Sequence, residues 1–170
     1  MTKLILVGGF LGAGKTTLLL AAGRELRARG LRVGLVTNDQ SQELVDTALA
    51  QQAQLPVVEV AGGCFCCRLP DLLGGLETLQ RTVAPDVILA EPVGSCTDIT
   101  ATVMRPLAAR PELGFDIAPF TVLVDPLRHI QPEQGAADYV YRKQLEEGEL
   151  LGLTKLDAVD PQLGQAVLHR

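Results

Sequence analysis

The chain has 170 residues, 47% of them hydrophobic, only 4% aromatic with no Trp, and 21% charged, with a formal net charge of −5. This composition excludes a disordered chain, a coiled coil and a collagen-like fibre, and it requires an aliphatic core of Leu, Val, Ile and Ala inside one domain. The negative charge argues against a broad nucleic-acid-binding face.

In chain order, Lys3–Gly8 reads as a buried strand and Lys15–Arg29 as a helix ended by Gly30. The uncharged run Leu4–Ala13 is not a signal peptide, because it is rich in Gly, Lys15 interrupts it and no cleavage site follows. Arg32–Thr37 is a second strand, and Ser41–Gln52 a second helix with Ser41 as N-cap. Val57–Ala61 is a third strand, followed by Gly62-Gly63 and a cysteine cluster. Asp71–Ala84 is a helix and Asp86–Ala90 a fourth strand bounded by Pro85 and Pro92. Thr97–Arg110 is a helix that Pro106 kinks or splits. Phe120–Val124, helix Ala136–Glu147, strand Leu150–Thr154 and helix Pro161–Leu168 complete the order. No run reaches the ~18 apolar residues of a membrane span.

Strands apolar on both faces, alternating with helices, predict a doubly wound α/β fold with a mostly parallel sheet. Ligands then bind at the carboxyl ends of the strands, and the motifs gather there. Gly9-Phe10-Leu11-Gly12-Ala13-Gly14-Lys15-Thr16 matches the phosphate-loop pattern between a strand and a helix. The backbone from Gly9 through Ala13 cradles phosphate, Lys15 reaches the β- and γ-phosphates, and Thr16 offers its hydroxyl to Mg²⁺. Asp39 and Glu91 each follow an apolar strand and supply carboxylates to the same rim. Gly94, three residues after Glu91, presents its N–H to the γ-phosphate. Thr154-Lys155-Leu156-Asp157 has the [NT]-K-x-D form of a guanine site, with Asp157 accepting from the base N1 and N2 hydrogens and the Lys155 stem lying along its plane. Asp125 has a weaker case, since Asp125-Pro126 also begins a turn.

Four cysteines are too few for a disulfide scaffold, and three of them, Cys64, Cys66 and Cys67, fall within four residues. A reducing, cytoplasmic compartment makes them metal ligands or reactive thiols rather than bridges. Thiolates suit Zn²⁺ and related ions, and a tetrahedral site wants four ligands. The fourth is Cys96, His129, a carboxylate, water or another chain, and an incomplete shell suits a transferable metal. A locked structural zinc site and a redox pair are the competing readings.

The phosphate loop, Cys64-Phe65-Cys66-Cys67, Glu91–Gly94 and Thr154–Asp157, in this order, resemble the CobW/HypB/UreG family of P-loop GTPases, specifically its branch with a C-x-C-C loop. The resemblance covers nearly the whole chain and implies one P-loop GTPase domain over residues 1–170. It implies slow, Mg²⁺-dependent GTP hydrolysis coupled to delivery of Zn²⁺, Co²⁺ or Ni²⁺ to a client protein or cofactor pathway. By position, Gly12, Gly14, Lys15, Thr16 and Thr17 bind phosphates and Mg²⁺, Glu91 and Gly94 form the acidic switch, Cys64, Cys66 and Cys67 hold the metal, and Lys155 and Asp157 read guanine. A metal shared by two loops implies a homodimer. Thr154 stands where the family usually has Asn, Asn38-Asp39-Gln40 departs from its usual segment, and Pro92 stiffens the acidic motif.

Two other functions compete: a P-loop small-molecule kinase, which needs no cysteines, and a metal-binding module inert toward nucleotide. Asp157 lies thirteen residues before Arg170. The expectation is therefore a domain cut close to its C-terminal end, with an open base site and weak nucleotide affinity.

Overall fold

The computed structural model describes residues 1–39, 55–130 and 135–160, with Gln162 and Val167 besides. The expected helix at 41–52 and most of that at 161–168 lie outside the described residues. Strands β1 (Thr2–Gly9), β2 (Val33–Asp39), β3 (Val57–Ala61), β4 (Val87–Glu91), β5 (Phe115–Ile117), β6 (Thr121–Val124) and β7 (Leu150–Leu153) form one seven-stranded sheet. Its order is β3-β2-β4-β1-β6-β7, with β5 beside β1, and the pairings are parallel. The expected parallel α/β architecture is therefore present.

The sheet is two-sided because its inner strands carry apolar residues on both faces. All five residues of β4 are buried. Alternation sends Ile88 and Ala90 to one face and Val87 and Leu89 to the other. Helix α1 (Lys15–Ala28) covers the second face with Leu19 and Leu20, and α2 (Leu69–Val83) covers the first with Leu72, Leu76 and Leu79. Each fully buried Leu or Ile contributes roughly 1.5–3 kcal/mol, so these two layers dominate stability. Register Leu4↔Ile88 and Leu6↔Ala90 brings the ends of β1 and β4 side by side. That pairing sets the phosphate loop next to Glu91.

Three local features depart from expectation. The long helix predicted over 97–110 is a π-helical turn, Thr100–Met104, running into the short helix α3 (Arg105–Ala108). Pro106 cannot donate to the preceding turn, and the Thr100 carbonyl is taken by the Arg105 N–H, one residue beyond the α-helical partner. Strand β5 was not expected: its three residues hold a charge and follow Gly114, so only pairing with Thr2–Leu4 of β1 marks them as a strand. After β6, Pro126–Ile130 forms a short helix, α4, rather than a turn, and α5 (Ala136–Glu147) matches its expected bounds. Among the described residues, no helix is long and apolar enough to cross a membrane.

Candidate functional site

The loop between β1 and α1 is built from glycine backbone. Gly12 and Gly14 take φ values of 77° and 89°, which other residues rarely adopt, and a Cβ at either would meet nothing within 4 Å. Conformation rather than crowding demands glycine here, and the space is left open. Helix α1 starts with no side-chain cap and no acidic residue in its first turn. Its leading N–H groups and positive dipole end therefore face that space. Inside the loop, the Phe10 carbonyl accepts from Ala13 N at 3.0 Å and from Lys15 Nζ at 3.4 Å. Lys15 is buried, Thr16 half-buried and Thr17 exposed on the first turn of α1.

Glu91 ends β4, buried, and its Oε1 accepts from Thr16 Oγ1 at 3.0 Å and lies 4.0 Å from Lys15 Nζ. Two residues 75 positions apart thus meet because β1 and β4 are adjacent. Gly94 sits against the same loop: a Cβ there would lie 2.9 Å from both Leu11 N and Lys15 Nζ. Asp39 closes β2 opposite Ala61 of β3, and its side chain lies outside the described residues. Beside it, the buried Thr37 hydroxyl has no hydrogen-bond partner and stands in register with Glu91.

The guanine-type motif follows β7. Thr154 Oγ1 donates to the Ala13 carbonyl at 2.9 Å, so the residue that departs from the family pattern ties this motif to the phosphate loop. Lys155 adopts a left-handed φ of 53° and reaches Asp125 Oδ2 at 2.8 Å. Burial pushes the Asp125 carboxyl up, but the Lys155 ammonium and the Leu127 and Arg128 N–H groups outweigh it and hold it below its usual range. Asp157, in a 3₁₀ turn, is exposed. The Arg128 guanidinium stacks 4.0 Å from the centre of the Phe10 ring.

The cysteine loop hangs from β3. Phe65 is wholly buried in the core and pins the loop, while Cys64 and Cys66 are half-buried and Cys67 is exposed. Asn38 Nδ2 donates to the carbonyls of Val60 and Gly63, joining the end of β2 to the loop. The Cys64, Cys66 and Cys67 sulfurs lie within 4.8 Å of one another. All four cysteines are free thiols, and the Cys64–Cys66 sulfur separation of 2.7 Å is well beyond the ~2.05 Å of a disulfide. Burial raises the Cys64 thiol, yet the hydrogen bonds from Cys66 and Cys67 win and bring it down to about 7. Burial and the neighbouring Cys64 push Cys66 up to about 12. One thiol of the loop therefore ionises first, and its charge opposes ionisation of the next until a cation arrives.

Two contributors carry no sequence motif. Gln144 of α5, buried, donates its amide to the carbonyls of Gly94 at 3.0 Å and Cys96 at 2.8 Å. Asp125 positions Lys155, a role that its Asp-Pro turn signal did not announce. His129, a candidate fourth metal ligand from the sequence, meets the Tyr141 hydroxyl at 3.1 Å, and Tyr141 packs edge-on against Phe10 of the phosphate loop.

A family model described as CobW/HypB/UreG, nucleotide-binding domain, matches residues 3–170. The zinc chaperone YeiR of Escherichia coli (strain K12) is 32% identical over 177 residues, covering 98% of this chain and 50% of the relative. The zinc-regulated GTPase metalloprotein activator 1 of Dictyostelium discoideum is 32% identical over 102 residues, covering 52% of this chain and 21% of its own length. The chain thus spans about half the length of the first of these relatives and less of the second. Among solved structures, the Zn(II)-bound YjiA GTPase from E. coli superposes with a TM-score of 0.64 at 18% identity, over 99% of this chain and 53% of that one. At that identity the likeness establishes the P-loop fold alone.

Proposed function

The chain belongs to the CobW/HypB/UreG family of nucleotide-binding domains, and on that premise we propose that it binds and slowly hydrolyses GTP and uses the nucleotide state to hold and hand over a zinc ion. The observation that carries this reading is the mutual approach of three thiols within 4.8 Å on a loop at the same carboxyl rim of the sheet as the phosphate loop, with β2 and β4 between the two. Zinc is the cargo because the similar YeiR protein named above is a zinc chaperone. A kinase would have no use for the thiols.

Lys15 neutralises charge on the β- and γ-phosphates, with its ammonium already oriented by the Phe10 carbonyl. The Gly94 N–H donates to a γ-phosphate oxygen, and the N-terminal N–H groups of α1 hold the remaining oxygens. Thr16, backed by Glu91, and Asp39 would hold Mg²⁺, and the unpartnered Thr37 hydroxyl beside them fits a hydrated ion. When bound, the ion would offset the negative charge that develops on the phosphates. Glu91 and Asp39 then orient water for attack on the γ-phosphate. Asp157 accepts from the guanine N1 and N2 hydrogens, flanked by the Lys155 stem. Because that side is exposed, nucleotide affinity is weak.

Cys64, Cys66 and Cys67 give three thiolates to zinc, and an open fourth position permits transfer to a client metalloprotein. The free thiols suit a reducing, cytoplasmic setting. The test is a zinc titration against a competing chelator, with Mg²⁺ and either GTP or GDP. GTP should tighten zinc binding by about tenfold, within the usual range of coupling between sites, and zinc should tighten GTP by the same factor. Cys66→Ser should abolish both effects. Equal zinc affinity in the two nucleotide states would overturn the reading.

A further inference from the structure

The segment that leaves β4 has two working ends. At one, Glu91 touches Thr16 and Gly94 lies against Leu11 and Lys15 of the phosphate loop. At the other, Cys96 lies against the cysteine loop. Its thiol stands close enough to those of Cys64 and Cys66 to feel their charge. Cys66 and Cys96 also pack against the same buried cluster around Phe65 and Ile99. Cys96 stands beside the triad without belonging to the set of sulfurs mutually within 4.8 Å. The turn between the two ends is short, with Cys96 N donating to the Val93 carbonyl at 3.0 Å. Gln144 grips it from outside through the Gly94 and Cys96 carbonyls. Gly94 and Cys96 therefore move together.

We propose that Cys96 supplies the fourth thiolate to the metal held by Cys64, Cys66 and Cys67 when Gly94 is engaged by the γ-phosphate. This rests on the reading that the cysteine loop carries the cargo metal. Three thiolates leave zinc an open position, which suits transfer, whereas four close the tetrahedron, which suits retention. A ligand mounted two residues from the γ-phosphate contact makes the closed shell depend on the triphosphate. Loss of the γ-phosphate frees the segment, withdraws Cys96 and opens the position to a receiving protein. Each thiol that ligates loses its proton to solvent and donates a sulfur lone pair to the ion, with no change of oxidation state.

The experiment loads the whole chain with Zn²⁺ or Co²⁺ in the presence of Mg²⁺ and a non-hydrolysable GTP analogue. X-ray absorption at the zinc edge of the unmodified protein should count four sulfurs at about 2.3 Å. A count of three with a nitrogen or oxygen in the fourth place overturns the proposal without reliance on any variant. In the Co²⁺ form, Cys96→Ser should lower the sulfur-to-metal charge-transfer absorbance per metal by about a quarter, as four thiolates become three. With GDP, wild type and variant should have the same absorbance. Unchanged absorbance in Cys96→Ser with the triphosphate analogue, while Cys66→Ser loses the metal, overturns this inference alone. Retention of metal by Cys66→Ser would instead sink the underlying reading. An unaltered melting temperature of metal-free Cys96→Ser excludes a folding defect as the cause of an absorbance change.

Discussion

The two ends of the one sheet solve opposite problems. At the amino ends, charged and polar groups are paired with their own kind and face water. Lys3 meets Asp116, Arg32 makes a two-point contact with Asp86, Thr2 Oγ1 donates to the Pro85 carbonyl and Gln80 Nε2 to the Leu113 carbonyl. At the carboxyl ends, Lys15 and Glu91 are buried together, the Thr37 hydroxyl has no hydrogen-bond partner, three thiols crowd one loop, and glycines hold backbone that other residues rarely adopt. The first rim closes the fold. The second keeps buried polar groups that a ligand would satisfy, and the core beneath it bears the cost.

The contrast is tested most severely at Gly94. In Gly94→Ala the new methyl must displace Leu11 N or Lys15 Nζ, each 2.9 Å from where it would stand. Calorimetric titration with Mg²⁺-GTP should show affinity falling by about 100-fold, or about 2.7 kcal/mol, with little change in melting temperature. Undiminished affinity would mean that the carboxyl rim is not strung as tightly as the distances imply.

A smaller effect is expected where the base side joins the phosphate side. Thr154→Val removes the hydroxyl that donates to the Ala13 carbonyl at 2.9 Å. Urea unfolding should register a loss of about 1 kcal/mol, the usual worth of one such bond, together with a severalfold weaker nucleotide affinity. A loss of stability with nucleotide affinity intact would place Thr154 with the structural rim.

The smallest effect belongs to the amino rim. The Arg32 guanidinium and backbone N–H hold the Asp86 carboxyl down at about 2. Because the folded value lies below the ~3.9 of an unfolded aspartate, the pair stabilises above that value, and its contribution fades as pH falls from about 4 to about 2. Asp86→Asn should shift the urea midpoint slightly at pH 7 and not at pH 2, with zinc and GTP binding unchanged. An effect on either ligand would break the division between the two rims.

Much of the site was legible because its chemistry is local. A phosphate loop needs its glycines, Lys15 and Thr16 at fixed short spacing, since one turn and one helix start build it. The cysteine loop likewise brings its own three thiols, and Phe65, the residue inside the motif that looks least chemical, is its anchor in the core. Gln144 was not legible, because nothing in an amphipathic helix separates a glutamine facing solvent from one clamping two carbonyls 48 and 50 residues away. Strand β5 escaped notice for a similar reason, being three residues whose identity as a strand comes wholly from β1.

By itself the sequence determined the layered α/β fold, the order of the motifs and the chemistry of each loop, since these follow from hydrophobic period and from residues a few positions apart. Only the tertiary structure decided which loops touch. Strand order is a non-local property: placing β1 between β4 and β6 and β2 between β3 and β4 sets Glu91 on Thr16, Thr154 on Ala13 and Asn38 on the cysteine loop. It also sets Cys96 beside Cys64 and Cys66, across a separation no spacing rule could bridge. A parallel sheet has this effect because every strand delivers its carboxyl end to the same rim, while burial of both faces leaves the strands a single packed order.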